Sequence, residues 1–243
     1  MNKAIDLYLK KHGFGQFRPR AVLFDMDGVI YNSMPNHAKS WHESMATFGL
    51  DMPPEGAYLY EGMRGVETIK LLARKQWNRE LSDEEAARMY EVKSATFAKC
   101  PPPEKMDGIM SLMQQIKDSG MRICVVTGSG QHTLLDKLTV AFEGLIERDY
   151  IVTAYDVKHG KPAPDPYLAG MQKTGTAPWE TIVVENAPLG VRAAVAAKCF
   201  TIAANTGPLA DETLLEAGAD MVLPSIAALS DYWPMLSAST LMS

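Results

Sequence analysis

Two aspartates one residue apart, Asp25 and Asp27, follow an apolar run and precede Gly28. A second apolar run leads into Thr127-Gly128-Ser129-Gly130. Lys161-Pro162 lies further on, and a third run ends in Glu185-Asn186. Acidic side chains at this spacing, with a third acid nearby, make an oxygen-rich set suited to Mg²⁺. A hydroxyl, glycine-exposed backbone amides and a lysine can neutralise the equatorial oxygens of a transferring phosphoryl group. An aspartate can attack phosphorus covalently, which splits one hard displacement into two easier ones. A second carboxylate can protonate the leaving oxygen and then activate water. The chemistry these residue types serve together is phosphoryl transfer.

Each group alone has a plainer reading. Paired aspartates after a strand suit turns and caps, and Thr127 to Gly130 suits a strand-to-helix turn. Lys161 alone suits a solvated loop, and Glu185-Asn186 before Pro188 suits a helix start. None of these explains why all four stand at the ends of successive predicted strands. Rival motifs fail on particular residues. A dinucleotide fingerprint from Gly128 needs glycine at 133, which is Thr133. An EF-hand from Asp25 fails at Val29 and Asn36. No G-x-x-x-x-G-K-[ST], H-E-x-x-H or G-x-S-x-G occurs.

The elements that must position these residues follow from periodicity. Short runs that are apolar throughout (Ala21 to Phe24, Arg122 to Val126, Tyr150 to Thr153, Thr181 to Val184, Phe200 to Ala203, Asp220 to Leu223) read as parallel strands covered on both faces. Helix-period segments follow most of them: Gln131 to Thr139, Asp165 to Thr174, Pro188 to Lys198, Pro208 to Ala217 and Ser225 to Met235. This alternation predicts a doubly wound, mostly parallel α/β sheet. Helical patterns at Pro35 to Phe48, Val66 to Trp77 and Asp83 to Lys99 interrupt it, and Pro101-Pro102-Pro103 ends the interruption. A helix at Asp107 to Ser119 resumes the alternation, and another is expected at Ile5 to Lys11. The expected organisation is a core of residues 1–32 and 104–243 with a helical domain, 33–103, inserted in it.

Composition narrows the function classes. The chain has 243 residues, 47% of them hydrophobic, and a net charge of −5, which argues against a nucleic-acid or anionic-membrane partner. Cys100, Cys124 and Cys199 are scattered and odd in number, so neither zinc nor a disulfide framework is expected. With no apolar signal core near Met1, the expectation is a cytoplasmic monomer acting on a small phosphorylated substrate.

Strand-DMDG, strand-TGSG, KPAPDPY and strand-ENAPLGV together resemble the four motifs of the haloacid dehalogenase superfamily. The insert between the first two motifs resembles its helical-cap, β-phosphoglucomutase-like branch. The resemblance implies a Rossmann-like core, with Asp25 as the nucleophile forming an aspartyl-phosphate and Asp27 as general acid/base. It places Thr127, Ser129 and Lys161 on the phosphoryl group. It gives Mg²⁺ to Asp25, the backbone carbonyl of Asp27, Glu185 and Asn186. Asp27 also argues against carbon–halogen cleavage.

Two departures bear on substrate. The fourth motif carries Asn186 where the family usually has an acid. The cap position of a substrate-binding arginine is Gly65, with Arg64 adjacent as its possible substitute. DMDG, YEG, VVTGSG and ENAPLGV look most like bacterial cap-bearing members that hydrolyse inorganic pyrophosphate, in which the glutamate matching Glu61 approaches the metal. His37 matches a family position that contacts the acid/base, and a packed helix histidine is its alternative. Lys93 could meet substrate on cap closure, and a solvated helix face is its alternative. The expected activity is phosphohydrolysis, leaning to pyrophosphate. A sugar-phosphate mutase is one alternative, and a non-catalytic phosphate-binding protein, resting on Asn186 alone, is another.

Overall fold

The apolar runs become strands in the computed structural model of the protein, which describes residues 3–129 and 138–241. They are β1 (Ala21–Phe24), β2 (Arg122–Val126), β3 (Ile151–Val152), β4 (Thr181–Glu185), β5 (Phe200–Ala204) and β6 (Met221–Leu223). Among the described residues these six form one all-parallel sheet in the order β3-β2-β1-β4-β5-β6. Winding reverses beside β1, and such a switch point opens a crevice at the carboxyl ends of the strands. Phe24 pairs level with Val125 of β2 and Val184 of β4. That register brings Asp25, Thr127 and Glu185 to one rim.

Side chains alternate across the sheet, as strand geometry requires. Val22, Phe24, Ile123, Val125, Ile182 and Val184 join one buried cluster. Ala21, Leu23, Cys124, Val126 and Val183 join another on the opposite face. The first is covered by α1 (Lys3–His12), α6 (Ile109–Asp118) and α10 (Ile226–Leu241), and the second by α7 (Asp165–Thr174) and α8 (Pro188–Ala196). A short helix, α9 (Asp211–Glu216), packs beside α8 at the β6 side. No helix among the described residues is long and apolar enough to cross a membrane.

Between β1 and β2 lie α2 (Met34–Thr47), α3 (Pro54–Leu59), α4 (Gly65–Trp77) and α5 (Asp83–Phe97). They surround an apolar cluster of their own, with Trp41, Met45, Ile69, Leu72 and Met89 at its centre. The α5 start carries a full capping box, Ser82 with Glu85. The six-residue α3 escaped periodicity because it is under two turns long. The chain segments entering and leaving this bundle run side by side. Asn32 N–H donates to the Glu104 carbonyl and Met106 N–H to the Ile30 carbonyl, both at 2.8 Å. The expected helix Gln131 to Thr139 and the Gly130 that precedes it fall largely outside the described residues.

Candidate active site

Asp25 extends β1 by one residue, its N–H donating to the Val184 carbonyl at 3.0 Å. Its side chain is buried; Oδ1 accepts from Lys161 Nζ, while Oδ2 has no partner among the described residues. Burial raises the Asp25 carboxyl to about 7; the Lys161 charge opposes this, and Glu185 and Asp27 add to it. Lys161 is itself 4% exposed. Burial works against its charge but is outweighed by Asp25 and Glu185, so the ammonium is held well above its ordinary value.

Asp27 is the opposite case. Its Oδ1 accepts from Ser33 Oγ at 2.5 Å and lies 3.3 Å from His37 Nε2. Burial opposes ionisation, but the His37 charge and these hydrogen bonds outweigh it and keep the carboxyl below its usual range. Two neighbouring carboxylates are thereby pushed apart, which is a mark of separate roles. Behind His37 stands Lys93, whose Nζ lies 2.9 Å from Nδ1. It is enclosed by the Phe97 ring at 4.8 Å and the Trp41 ring at 5.2 Å. Burial lowers its amine to about 8 against the pull of Glu61 and Asp27. A solvated helix face does not fit the burial of Lys93, whereas His37 both packs on the Phe97 ring, 4.3 Å between centroids, and faces Asp27.

Glu185 closes β4. Its Oε1 accepts from Lys161 Nζ at 2.7 Å and from the Tyr167 hydroxyl at 2.5 Å, and its Oε2 from the backbone N–H groups of Asn186 and Ala187. The carboxylate presses on the first turn of α8, where a Cβ on Gly190 would fall 1.8 Å from Oε1. Asn186 lies against Gly28, which has φ +82; a Cβ there would meet Nδ2 at 2.1 Å. Both amide atoms of Asn186 are buried without a partner among the described residues. Among the described residues no three His, Cys, Asp or Glu side chains form a metal cluster. The buried orphan oxygens of Asp25 and Asn186 instead fit a hard cation, for which carboxylate and amide oxygens are suitable ligands.

The inserted helices close over this rim through the loop 61–65. Gly62, φ +85, lies so near the Lys161 stem that a Cβ would meet Cδ at 2.7 Å, and its carbonyl faces Gly128. Glu61 is half-buried; burial and the charges of Asp27 and Asp25 push its carboxyl well above the normal value. Arg64 lies at the edge of the rim beside Thr127 and Lys161, where its Nη2 donates to the Val157 carbonyl at 2.9 Å and its stem packs on Gly160. It fastens the loop to the core. A space of about 10 Å³, roughly one water-sized sphere, lies beside Thr127, Gly128 and Lys161 and is lined also by Gly62 and Arg64, but by none of the site acids. A larger cleft, about 700 Å³, between α2, α3 and residues 206–208 contains none of these acids. Thr127 Oγ1 accepts the Ser129 N–H at 3.0 Å, bending the loop so that its backbone lines the site.

Asp25, Asp27, His37, Glu61, Lys93, Thr127, Lys161, Glu185 and Asn186 thus converge, with Ser129 in the flanking loop and Arg64 at the edge beside Thr127 and Lys161. Sequence reasoning missed Tyr167 and used Ser33 only as a boundary. Tyr167 stands in the quoted KPAPDPY, in the first turn of α7, where a tyrosine reads as core.

Residues 22–204 match the model for haloacid dehalogenase-like hydrolases. Hexitol phosphatase A of Escherichia coli is 29% identical over 213 residues, covering 88% of this chain and 94% of that protein. Fructose-1-phosphate phosphatase YqaB of the same organism is 28% identical over 183 residues, 74% of this chain and 93% of its own. The solved structure of a putative β-phosphoglucomutase from Bacteroides vulgatus is similar at a TM-score of 0.94 and 45% identity, covering 98% of this chain and 97% of that one.

Proposed function

Because the chain belongs to the haloacid dehalogenase-like hydrolases, we propose that it is a Mg²⁺-dependent phosphohydrolase in which Asp25 carries the phosphoryl group. Residues 1–32 and 104–243 act as the catalytic core and 33–103 as its cap. An Asp25 carboxylate oxygen attacks phosphorus, and the bond from phosphorus to the leaving oxygen breaks. Lys161, Thr127 and the Gly128–Ser129 backbone hold the oxygens on which charge gathers. Water then attacks the phosphorus of phospho-Asp25 while Asp27 takes its proton; phosphate leaves and Asp25 is restored. Asp25, the Asp27 carbonyl and Asn186, joined by Glu61 from the cap, would hold Mg²⁺, with Glu185 behind them bracketing Lys161. Mg²⁺ would supply neutralisation of the charge that repels an anionic nucleophile from an anionic substrate.

The observation that carries this reading is the divergence of Asp25 and Asp27 within one buried, lysine-bracketed rim. Inorganic pyrophosphate is the substrate we favour. A departing phosphate needs less protonation than an alkoxide, which suits an Asp27 held ionised. The test is phosphate release with Mg²⁺ from pyrophosphate, hexose phosphates, hexitol phosphates and nucleotides. A pyrophosphate rate at least tenfold above the rest is expected; a hexose or hexitol phosphate leading the panel would overturn that choice.

A second reading, phosphatase or mutase action on a sugar phosphate, draws on the names of the relatives above. Conversion of β-glucose 1-phosphate to the 6-phosphate without phosphate release would establish the mutase.

A further inference from the structure

A carboxylate has two oxygens and about four lone-pair positions. At Glu185 all four are already taken by groups of the chain itself: Lys161 and Tyr167 on Oε1, Asn186 and Ala187 N–H on Oε2. The two backbone donors belong to the start of α8, where the helix end also favours negative charge. Gly190 leaves no room for the carboxylate to retreat. Its neighbours are in the contrary state. Asp25 Oδ2 and both polar atoms of Asn186 are buried and free of partners among the described residues.

The geometry points to Tyr167 as a positioning residue that keeps Glu185 off the metal: its hydroxyl fills the last acceptor position of Oε1, so that Glu185 serves as the bracket for Lys161 and metal ligation falls to Asp25 and Asn186. This assignment rests on the proposed Mg²⁺ site. The hydroxyl is a lasting donor, because Tyr167 is fully buried and its ring lies beneath Lys161, the Nζ being 5.2 Å from the ring centroid. The three hydrogens of Lys161 face Asp25, Glu185 and the Val126 carbonyl. A Glu185 that turned towards a metal would release Lys161 from the position in which it meets the phosphoryl group. Removing the Tyr167 hydroxyl leaves Oε1 with one vacant acceptor position beside the metal site.

The consequence is readable in cation choice. Mg²⁺ takes six ligands in near-octahedral order, whereas Ca²⁺ accepts six to eight oxygens in flexible geometry. One freed carboxylate oxygen therefore favours Ca²⁺. Dissociation constants for Mg²⁺ and Ca²⁺ are measured calorimetrically without substrate, on variants whose circular dichroism matches the wild type. Taking the ratio of the two constants cancels most of the change in net charge. In Tyr167→Phe the ratio is expected to move about five- to tenfold towards Ca²⁺, and in Tyr167→Phe/Glu185→Gln to return to the wild-type value. Glu185→Gln alone leaves the ratio unmoved, while Asn186→Ala weakens both cations at least tenfold.

An unmoved ratio in folded Tyr167→Phe would overturn the assignment. So would a loss of both cations in Glu185→Gln equal to that in Asn186→Ala, or a wild-type chain that binds neither cation. The Glu185→Gln arm decides the question by itself if Tyr167→Phe folds poorly. Because turnover is not read, failure here with phosphate release intact leaves the phosphohydrolase reading standing, and the expected ratios without any phosphate release would do the reverse.

Discussion

Asp25 and Asp27 are two residues apart and chemically alike, yet their surroundings separate them. Asp25 meets Lys161 across a buried sheet end, whereas Asp27 meets Ser33 and His37 from the first inserted helix. The cost of this arrangement falls on Lys93, buried beside His37 with its amine lowered from 10.5 to about 8 by burial. The unfolded chain therefore holds the extra proton between those values, and stability attributable to this group rises with pH across that window. Lys93→Met should accordingly raise stability at pH 7, by up to about 3 kcal/mol before the lost ring and His37 contacts are subtracted. The advantage over wild type should shrink between pH 8 and 10.5. Urea unfolding of both proteins at pH 7 and pH 10 measures it; an advantage that grows with pH would contradict the sign. Asp25, Asp27, Thr127, Glu185 and Asn186 stood out as candidates in the sequence because they follow apolar runs. Tyr167 did not, since a tyrosine in the first turn of a helix is indistinguishable from core until its hydroxyl is seen on Glu185.

The loop 61–65 is one of the elements through which the inserted helices touch the core, beside His37 on Asp27 and Tyr58 on Gly207. Two glycines let the backbones approach, Gly62 against Lys161 and Gly160 against Arg64. Gly62→Ala combines a positive φ with a collision at Lys161 Cδ, so closure should fail while the separate cores survive. A fall in kcat/KM of about tenfold or more with little change in Tm is expected. Arg64→Ala removes the bond to Val157 and should raise KM more than it lowers kcat, because the guanidinium fastens the loop and does not face Asp25. A loss confined to kcat would return Arg64 to the chemistry. Helix-period patterns revealed the inserted bundle and its proline exit, but not α3, and not that Arg64 bonds to the Val157 carbonyl. One side-chain torsion decides the latter, and no spacing rule reports it.

At the scale of the whole molecule the sheet order makes the site. With β2 and β4 on either side of β1, three strand ends lie level, and the motif residues meet although 160 positions separate Asp25 from Glu185. Fully apolar strands alternating with amphipathic helices announced this architecture before any contact was known; which strand lies next to which was not in the periodicity. Nor was the place of α1, which lies against the first cluster through Ile5 and Tyr8. The Tyr8 hydroxyl reaches the Pro178 and Lys198 carbonyls at 3.0 and 2.9 Å. Tyr8→Phe should cost about 1 kcal/mol of stability and leave kcat unchanged, as thermal melts beside steady-state rates would show. The account as a whole stands on a covalent phosphoryl group at Asp25. Acid-quenching the protein within one turnover of labelled pyrophosphate and Mg²⁺, then mapping the labelled peptide, tests it directly. Label on the peptide bearing Asp25, absent in Asp25→Asn, is the result expected; rapid phosphate release with no label on the protein, or turnover surviving in Asp25→Asn, would contradict it.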